Sequence, residues 1–226
     1  ATDHNVIRTD FFKYINTIAR PIKARMQYNS WYDWMMDITE DRINASFREM
    51  ERGFTQYGLR PMDSYVVDDG WNNYDQVGTA ESGTTHNTTG FWEFNSKFPN
   101  GLKGASDIAH RYGSGFGIWL GPRGGYNFNQ QWGKFLEQHG NGTYSTTTYD
   151  VVTGDSVYVA KLRDFFIKQQ RDYGVNYWKL DGFATQQPQA STNGRYITGG
   201  KNGNYYFTEH WERWYRNLDA MYADAK

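Results

Sequence analysis

The sequence predicts an α/β fold of the (β/α)8 TIM-barrel type, with the first four βα units present. Three observations lead there. Short apolar or alternating runs take turns with segments of helical periodicity, and no hairpin turn joins one run to the next; such alternation makes parallel βαβ units. Two of the runs end in carboxylates, at Asp68-Asp69 and at Asp181. The loops after the strands are long and decorated, whereas those after the helices are short and polar. A barrel has this asymmetry because its active site lies at the C-terminal ends of its strands. A doubly wound sheet is the alternative. However, no Gly-rich turn follows the first strand, and the GSGFG run at Gly113–Gly117 precedes its strand.

The elements follow in order. Thr9 or Asp10 caps a short helix, FFKYINTIA, which Arg20-Pro21 ends. IKARMQYNSW reads as the first strand, with residues 24–30 at its centre. Thr39 caps DRINASFREMERGFTQYG, whose Ile43, Phe47, Met50 and Phe54 share one helical face, and Gly58 stands at its C-terminal cap. The second strand, SYVVDD, leads into a long loop from Gly70 to Pro99. A helical segment over Gly104–Tyr112 precedes the third strand, GFGIWLG, after which a Gly/Asn/Gln-rich stretch reads as loop. Ser156 caps VYVAKLRDFFIKQQRDYG, with Leu162, Phe166 and Tyr173 turned inward, and VNYWKLD is the fourth strand. A second decorated loop, Gly182 to Asn204, precedes the last helix, FTEHWERWYRNLDAMYADA. Residues 1–20 are thus expected to form an N-terminal helix and linker, and residues 21–226 the half-barrel.

Composition narrows the function. The 226 residues carry 24 basic and 25 acidic side chains, a net charge of −1 that offers no field for nucleic acid or a membrane surface. No apolar run approaches a membrane span, and Ala1 to Thr9 shows no signal-peptide pattern. The absence of cysteine rules out disulfides, thiolate metal sites and cysteine catalysis, and is compatible with a secreted or cell-surface bacterial setting. Nine tryptophans, 18 tyrosines and 14 phenylalanines outnumber leucine, isoleucine and valine together. Aromatic residues mixed with Asn, Gly and Asp suit a surface that stacks on sugar rings and hydrogen-bonds their hydroxyls.

The candidate chemistry sits at the strand ends. Asp68 and Asp69 precede Gly70 and Trp71; adjacent carboxylates at a strand end point to opposite sides, although Asp-Asp-Gly is also a plain turn signal. Lys179 and Asp181 share a strand face, so the lysine can keep a nearby carboxylate ionised and donate to a hydroxyl. An ordinary rim salt bridge would look the same. An ionised, oriented carboxylate such as Asp181 can serve as a nucleophile. Trp31 follows the first strand and Trp119 ends the third; each fits a sugar platform or the core. The five histidines are scattered, no metal-ligand spacing occurs, and neither a metal nor an organic cofactor is expected.

The ordered set NSWYDW, YVVDDGW, FNSKFPNGLKGASDIAHRYG, FGIWLGP and YWKLDGF resembles the melibiase-type α-galactosidases and α-N-acetylgalactosaminidases of glycoside hydrolase clan D, over about Ala24 to Lys226. The resemblance implies a (β/α)8 barrel and retaining hydrolysis of terminal α-galactosyl or N-acetyl-α-galactosaminyl groups. By position, Asp181 matches the nucleophile, and Lys179 the lysine that binds ring hydroxyls. Asp68 and Asp69 match the acids on the 4- and 6-hydroxyls, and Trp31 an aromatic pocket wall, with Trp71 and Trp119 as further substrate-binding candidates. GPRGG stands after the third strand, where many relatives carry an acid. The family's acid/base aspartate follows a sixth strand, so no residue here takes that role, and the isolated chain is expected to be inactive. The partners implied are a galactose-containing oligosaccharide or glycoconjugate and either the remaining barrel half or a second copy. A non-catalytic carbohydrate-binding half-barrel and a barrel glycosidase of α-glucosidase type are the alternatives.

Overall fold

The computed structural model describes residues 3–21, 23–74, 86–146, 149–182 and 208–225, without the side chains of 208–212. The decorated loops after the second and fourth strands therefore lie partly outside the described residues.

The elements run α1 (His4–Ile18), β1 (Gln27–Asn29), α2 (Trp31–Trp34), α3 (Glu40–Gln56), β2 (Ser64–Val67), α4 (Lys103–Arg111) and β3 (Gly115–Leu120). They continue with α5 (Asn129–Gln138), β4 (Tyr144–Ser145), β5 (Asp150–Val151), α6 (Ser156–Tyr173), β6 (Val175–Leu180) and α7 (Thr208–Asp224). β1, β2, β3 and β6 form one sheet in that order, every neighbouring pair parallel. All four C-terminal ends therefore open on the same edge, as the sequence predicts. The chain is an α/β partial barrel.

Strand register decides what faces where. Val66 pairs with Gly117, and Gly117 with Tyr177; Trp119 pairs with Lys179. Alternation then puts Asp68, Trp119 and Lys179 on one face of the sheet. Tyr65, Val67, Phe116, Ile118 and Leu120 take the other face, where they join Phe47, Ile108, Leu162 and Phe166 in a continuous buried core. A register shift after Phe116 is absorbed at Asn176, whose side-chain carbonyl accepts the Phe116 N–H at 3.1 Å. This bulge sets the facing of the last residues of β6.

The helices owe their positions to caps and apolar stripes. The Thr39 hydroxyl accepts the Arg42 N–H at 3.2 Å and starts α3, whose Ile43 and Phe47 are fully buried. Glu51, one turn on, is buried as the acceptor of the Tyr65 hydroxyl at 2.6 Å. Asp155 caps α6, accepting from the N–H groups of Val157 and Tyr158 at 2.8 and 3.1 Å. α7 lies on α6: Asn217 donates to the Val159 carbonyl at 2.8 Å and Gln170 to that of Met221 at 2.9 Å.

Several expectations are corrected. The first helix starts at His4, because Asp3 accepts the Asn5 N–H and supplies the cap assigned to Thr9 or Asp10. The first strand shrinks to three residues, since Lys23, Ala24 and Arg25 are exposed and Asn29 Oδ1 turns the chain by accepting the Trp31 N–H. Asp155, not Ser156, caps α6. The stretch after the third strand, read as loop, holds α5 and the antiparallel β4–β5 hairpin. Trp132, Phe135 and Leu136 give α5 its buried stripe.

Candidate functional site

The residues after β2 enter the edge of the sheet in a tight sequence. Ser30 Oγ accepts the Asp68 N–H at 2.8 Å, tying the end of β2 to the residue after β1. Asp68 Oδ1 accepts the Asp69 N–H at 2.9 Å, and Asp69 Oδ1 accepts the Gly70 N–H at 2.7 Å. Gly70 then takes φ of 113°, where an added Cβ would lie 2.8 Å from the Met36 carbonyl oxygen. Only glycine fits that corner, so the two acids are held by the chain reversal itself.

Asp68 is buried, and its Oδ2 accepts from Lys179 Nζ at 2.7 Å. The lysine stays one-third exposed. Asp69 is buried as well and gathers three donors: the Gly70 N–H, the Tyr74 hydroxyl at 2.7 Å and the Tyr126 N–H at 2.6 Å. Burial pushes the Asp69 carboxyl up to about 6, with the neighbouring Asp68 charge adding to the rise and the three donors holding it back. The same burial raises the Tyr74 phenol, whose hydroxyl faces the Asp69 charge.

Asp181 follows β6 and is exposed, its N–H donating to the Leu120 carbonyl at 3.1 Å. Trp119 Nε1 donates toward Asp181 Oδ2 at 3.4 Å, a long contact that orients the carboxylate. Trp31 meets Tyr126 edge to face, ring centroids 5.6 Å apart. Together Trp31, Asp68, Asp69, Trp119, Lys179 and Asp181 line a cavity of about 400 Å³ at the C-terminal edge of the sheet. The GPRGG loop supplies the opposite wall with Arg123, Gly124, Gly125 and Tyr126. Arg123 is fixed there by an ion pair to the buried Asp150 of β5, its Nε at 2.6 Å.

The structure thus brings six of the seven sequence candidates together. Trp71 is the exception and is corrected: its side chain is fully buried on the helix side of the sheet, stacked on Phe165 of α6 at 5.9 Å. Its Nε1 donates to the Trp119 carbonyl at 3.0 Å, so it supports a cavity residue without reaching the cavity. Sequence reasoning missed Tyr74, Arg123, Gly125 and Tyr126. The available signal was GPRGGY directly after a strand end, the position a barrel reserves for ligand contacts.

The cavity, lined by carboxylates, a lysine and tryptophans, lies at the carboxyl ends of the parallel strands, the edge at which (β/α) barrels place their sites. Among solved structures, the chain is similar to the α-galactosidase of Thermus thermophilus in complex with p-nitrophenyl α-D-galactopyranoside. The two share 17% identity over 96% of this chain and 40% of that one, with a TM-score of 0.56. The shared property is the fold, and the chain spans about two-fifths of that enzyme. α-Galactosidase I of Mortierella vinacea gives 16% identity over 89% of this chain and 38% of that chain, TM-score 0.48. The Saccharomyces cerevisiae α-galactosidase gives 18% over 89% and 33%, TM-score 0.47. No family model and no curated protein sequence matches the chain.

Proposed function

We propose that this chain is the nucleophile-bearing part of a retaining glycoside hydrolase acting on terminal α-galactosyl or N-acetyl-α-galactosaminyl groups. The observation that supports it is the joint lining of one cavity by Asp68, Asp69, Lys179 and Asp181 beside two tryptophans. In this reading Asp68 and Lys179 take ring hydroxyls as acceptor and donor, with Asp69 beside them, and a tryptophan face covers the apolar side of the sugar. Asp181, exposed to the cavity with its carboxylate met by the Trp119 indole, attacks the anomeric carbon. The bond to the aglycone oxygen breaks as an acid delivers its proton there. Water then attacks the same carbon from the vacated face, its proton returns to the acid's conjugate base, and Asp181 leaves. No cofactor enters these steps.

A second reading, sugar binding without turnover, is favoured by one observation. Among the described cavity residues, Asp68 is committed to Lys179 and Asp69 to three donors, which leaves neither free as the acid. The experiment is release of nitrophenol from nitrophenyl α-galactoside, whose leaving group needs little protonation. Slow release abolished by Asp181→Asn supports the nucleophile assignment. Calorimetric binding with no release from either protein supports the binding module, and the absence of both binding and release contradicts the proposal.

A further inference from the structure

The Asp69 carboxylate reaches across the cavity floor to a loop that follows a different strand. That loop, residues 121–128, closes on itself through the Gly124 N–H to the Gly121 carbonyl at 2.7 Å and the Phe128 N–H to the Gly125 carbonyl at 3.0 Å. Its first residues are pinned to α6 and β5, by the Tyr158 hydroxyl donating to the Pro122 carbonyl at 2.6 Å and by the Arg123–Asp150 pair, and Gly124 and Asn127 beyond them take positive φ, 110° and 68°. Its tie to the β2 end is the bond from the Tyr126 N–H to Asp69 Oδ2. The Tyr74 hydroxyl holds the other carboxylate oxygen, and the Tyr74 ring stacks on Phe128 at 4.6 Å, at the far end of the same loop. At Gly125 an added Cβ would lie 1.9 Å from the Tyr74 hydroxyl and 2.7 Å from Asp69 Oδ2. The loop therefore lies directly on the carboxylate.

We infer that Asp69, oriented by Tyr74, latches the second half of the 121–128 loop and so sets the position of the Tyr126 wall of the cavity. Tyr74, which does not line the cavity, is then a positioning residue. The sugar specificity this wall would impose rests on the function proposed above, but the latch itself does not. Three protein donors and near-complete burial leave the carboxylate only one unoccupied lone-pair direction, on Oδ2. Holding the loop is thus its main structural task.

The latch requires the ionised acid, since every partner donates. A proton would go to Oδ2, which carries only the Tyr126 bond, and the resulting hydroxyl is a poorer acceptor. The groups that face the carboxylate are Asp68 beside it, with Lys179 of β6 paired to Asp68, the Tyr74 hydroxyl, and Arg123 and Asp181 around the cavity. Burial places the titration near pH 6, which puts the opening on the acid side of neutrality.

Hydrogen exchange at the Tyr126 amide tests this without any sugar. Rates are compared at pH 7.5 and pH 5 after correction for intrinsic exchange, in the wild type, Tyr74→Phe and Gly125→Ala. The latch predicts about tenfold faster corrected exchange at pH 5, as for the loss of one hydrogen bond. Tyr74→Phe, which keeps the ring stacking, should show the same loss beginning at higher pH. In Gly125→Ala exchange should be fast at both values, while amides of β2 and β3 remain protected. Corrected exchange at Tyr126 that is unchanged by pH and by both substitutions overturns the latch. A galactoside titration on the same samples reports separately on the proposed function.

Discussion

Lys179 and Asp68 are joined across an intervening strand: β6 and β2 are not neighbours, and the 2.7 Å bond passes over β3 on the face that carries the cavity. Trp119 of β3 stands in register with Lys179, and its indole reaches Asp181 two residues further along. One ion pair therefore fixes the acid at one strand end and the facing of the segment that ends in the proposed nucleophile. A buried carboxylate left without its cation is costly, which makes this pair a structural element as well as part of the proposed site.

Replacing Lys179 by Met should destabilise the protein by about 1–3 kcal/mol, because Asp68 stays buried and loses a charged donor. Equilibrium urea unfolding measures it. In the double variant with Asp68→Asn part of that loss should return, since no isolated charge then remains. Additive losses would show that the two side chains act independently.

Trp71→Phe should lower the unfolding free energy by about 1–3 kcal/mol, through the lost volume and the lost bond to the Trp119 carbonyl. Galactoside affinity, measured well below the melting temperature, should stay within about twofold because the ring is sealed behind the sheet. A selective loss of affinity at full stability would return Trp71 to the cavity.

The contrast between Trp71 and Trp119 shows what the sequence makes legible. The strand order, the shared edge of the acids and the face common to Lys179 and Asp181 follow from alternation and from helices between the runs, which are local signals. Whether a tryptophan at a strand end stacks on helices or lines a cavity depends on the turn at Gly70, where the backbone reverses under Met36, a contact between distant segments. α5 was obscured by its Gly- and Asn-rich approach, although Trp132, Phe135 and Leu136 already show helical spacing. The β4–β5 hairpin has two-residue strands, too short for any alternation to register. Tyr126 reaches Asp69 through its backbone N–H, a contact that no side-chain pattern encodes.

Asp69 should also leave a mark on stability as pH changes. Its carboxyl is raised from 3.8 to about 6, so between those values the folded protein holds a proton that the unfolded chain has released. Its contribution to stability is therefore full below about pH 4 and declines as pH rises through about 6, an effect on the order of 3 kcal/mol. Unfolding free energies of wild type and Asp69→Asn, taken at intervals from pH 4 to pH 8, should differ by an amount that moves against the wild type with rising pH. A difference that does not vary with pH would contradict the raised titration.

If Asp68, Lys179 and Asp181 form one sugar site, as proposed, calorimetric titration should separate methyl α-galactoside from its 4-epimer methyl α-glucoside. The galactoside should bind at least about tenfold more tightly, the worth of one well-placed charged hydrogen bond, and Asp68→Asn should remove that preference. Equal affinity for both epimers, or no binding of either by the folded protein, would contradict the proposal.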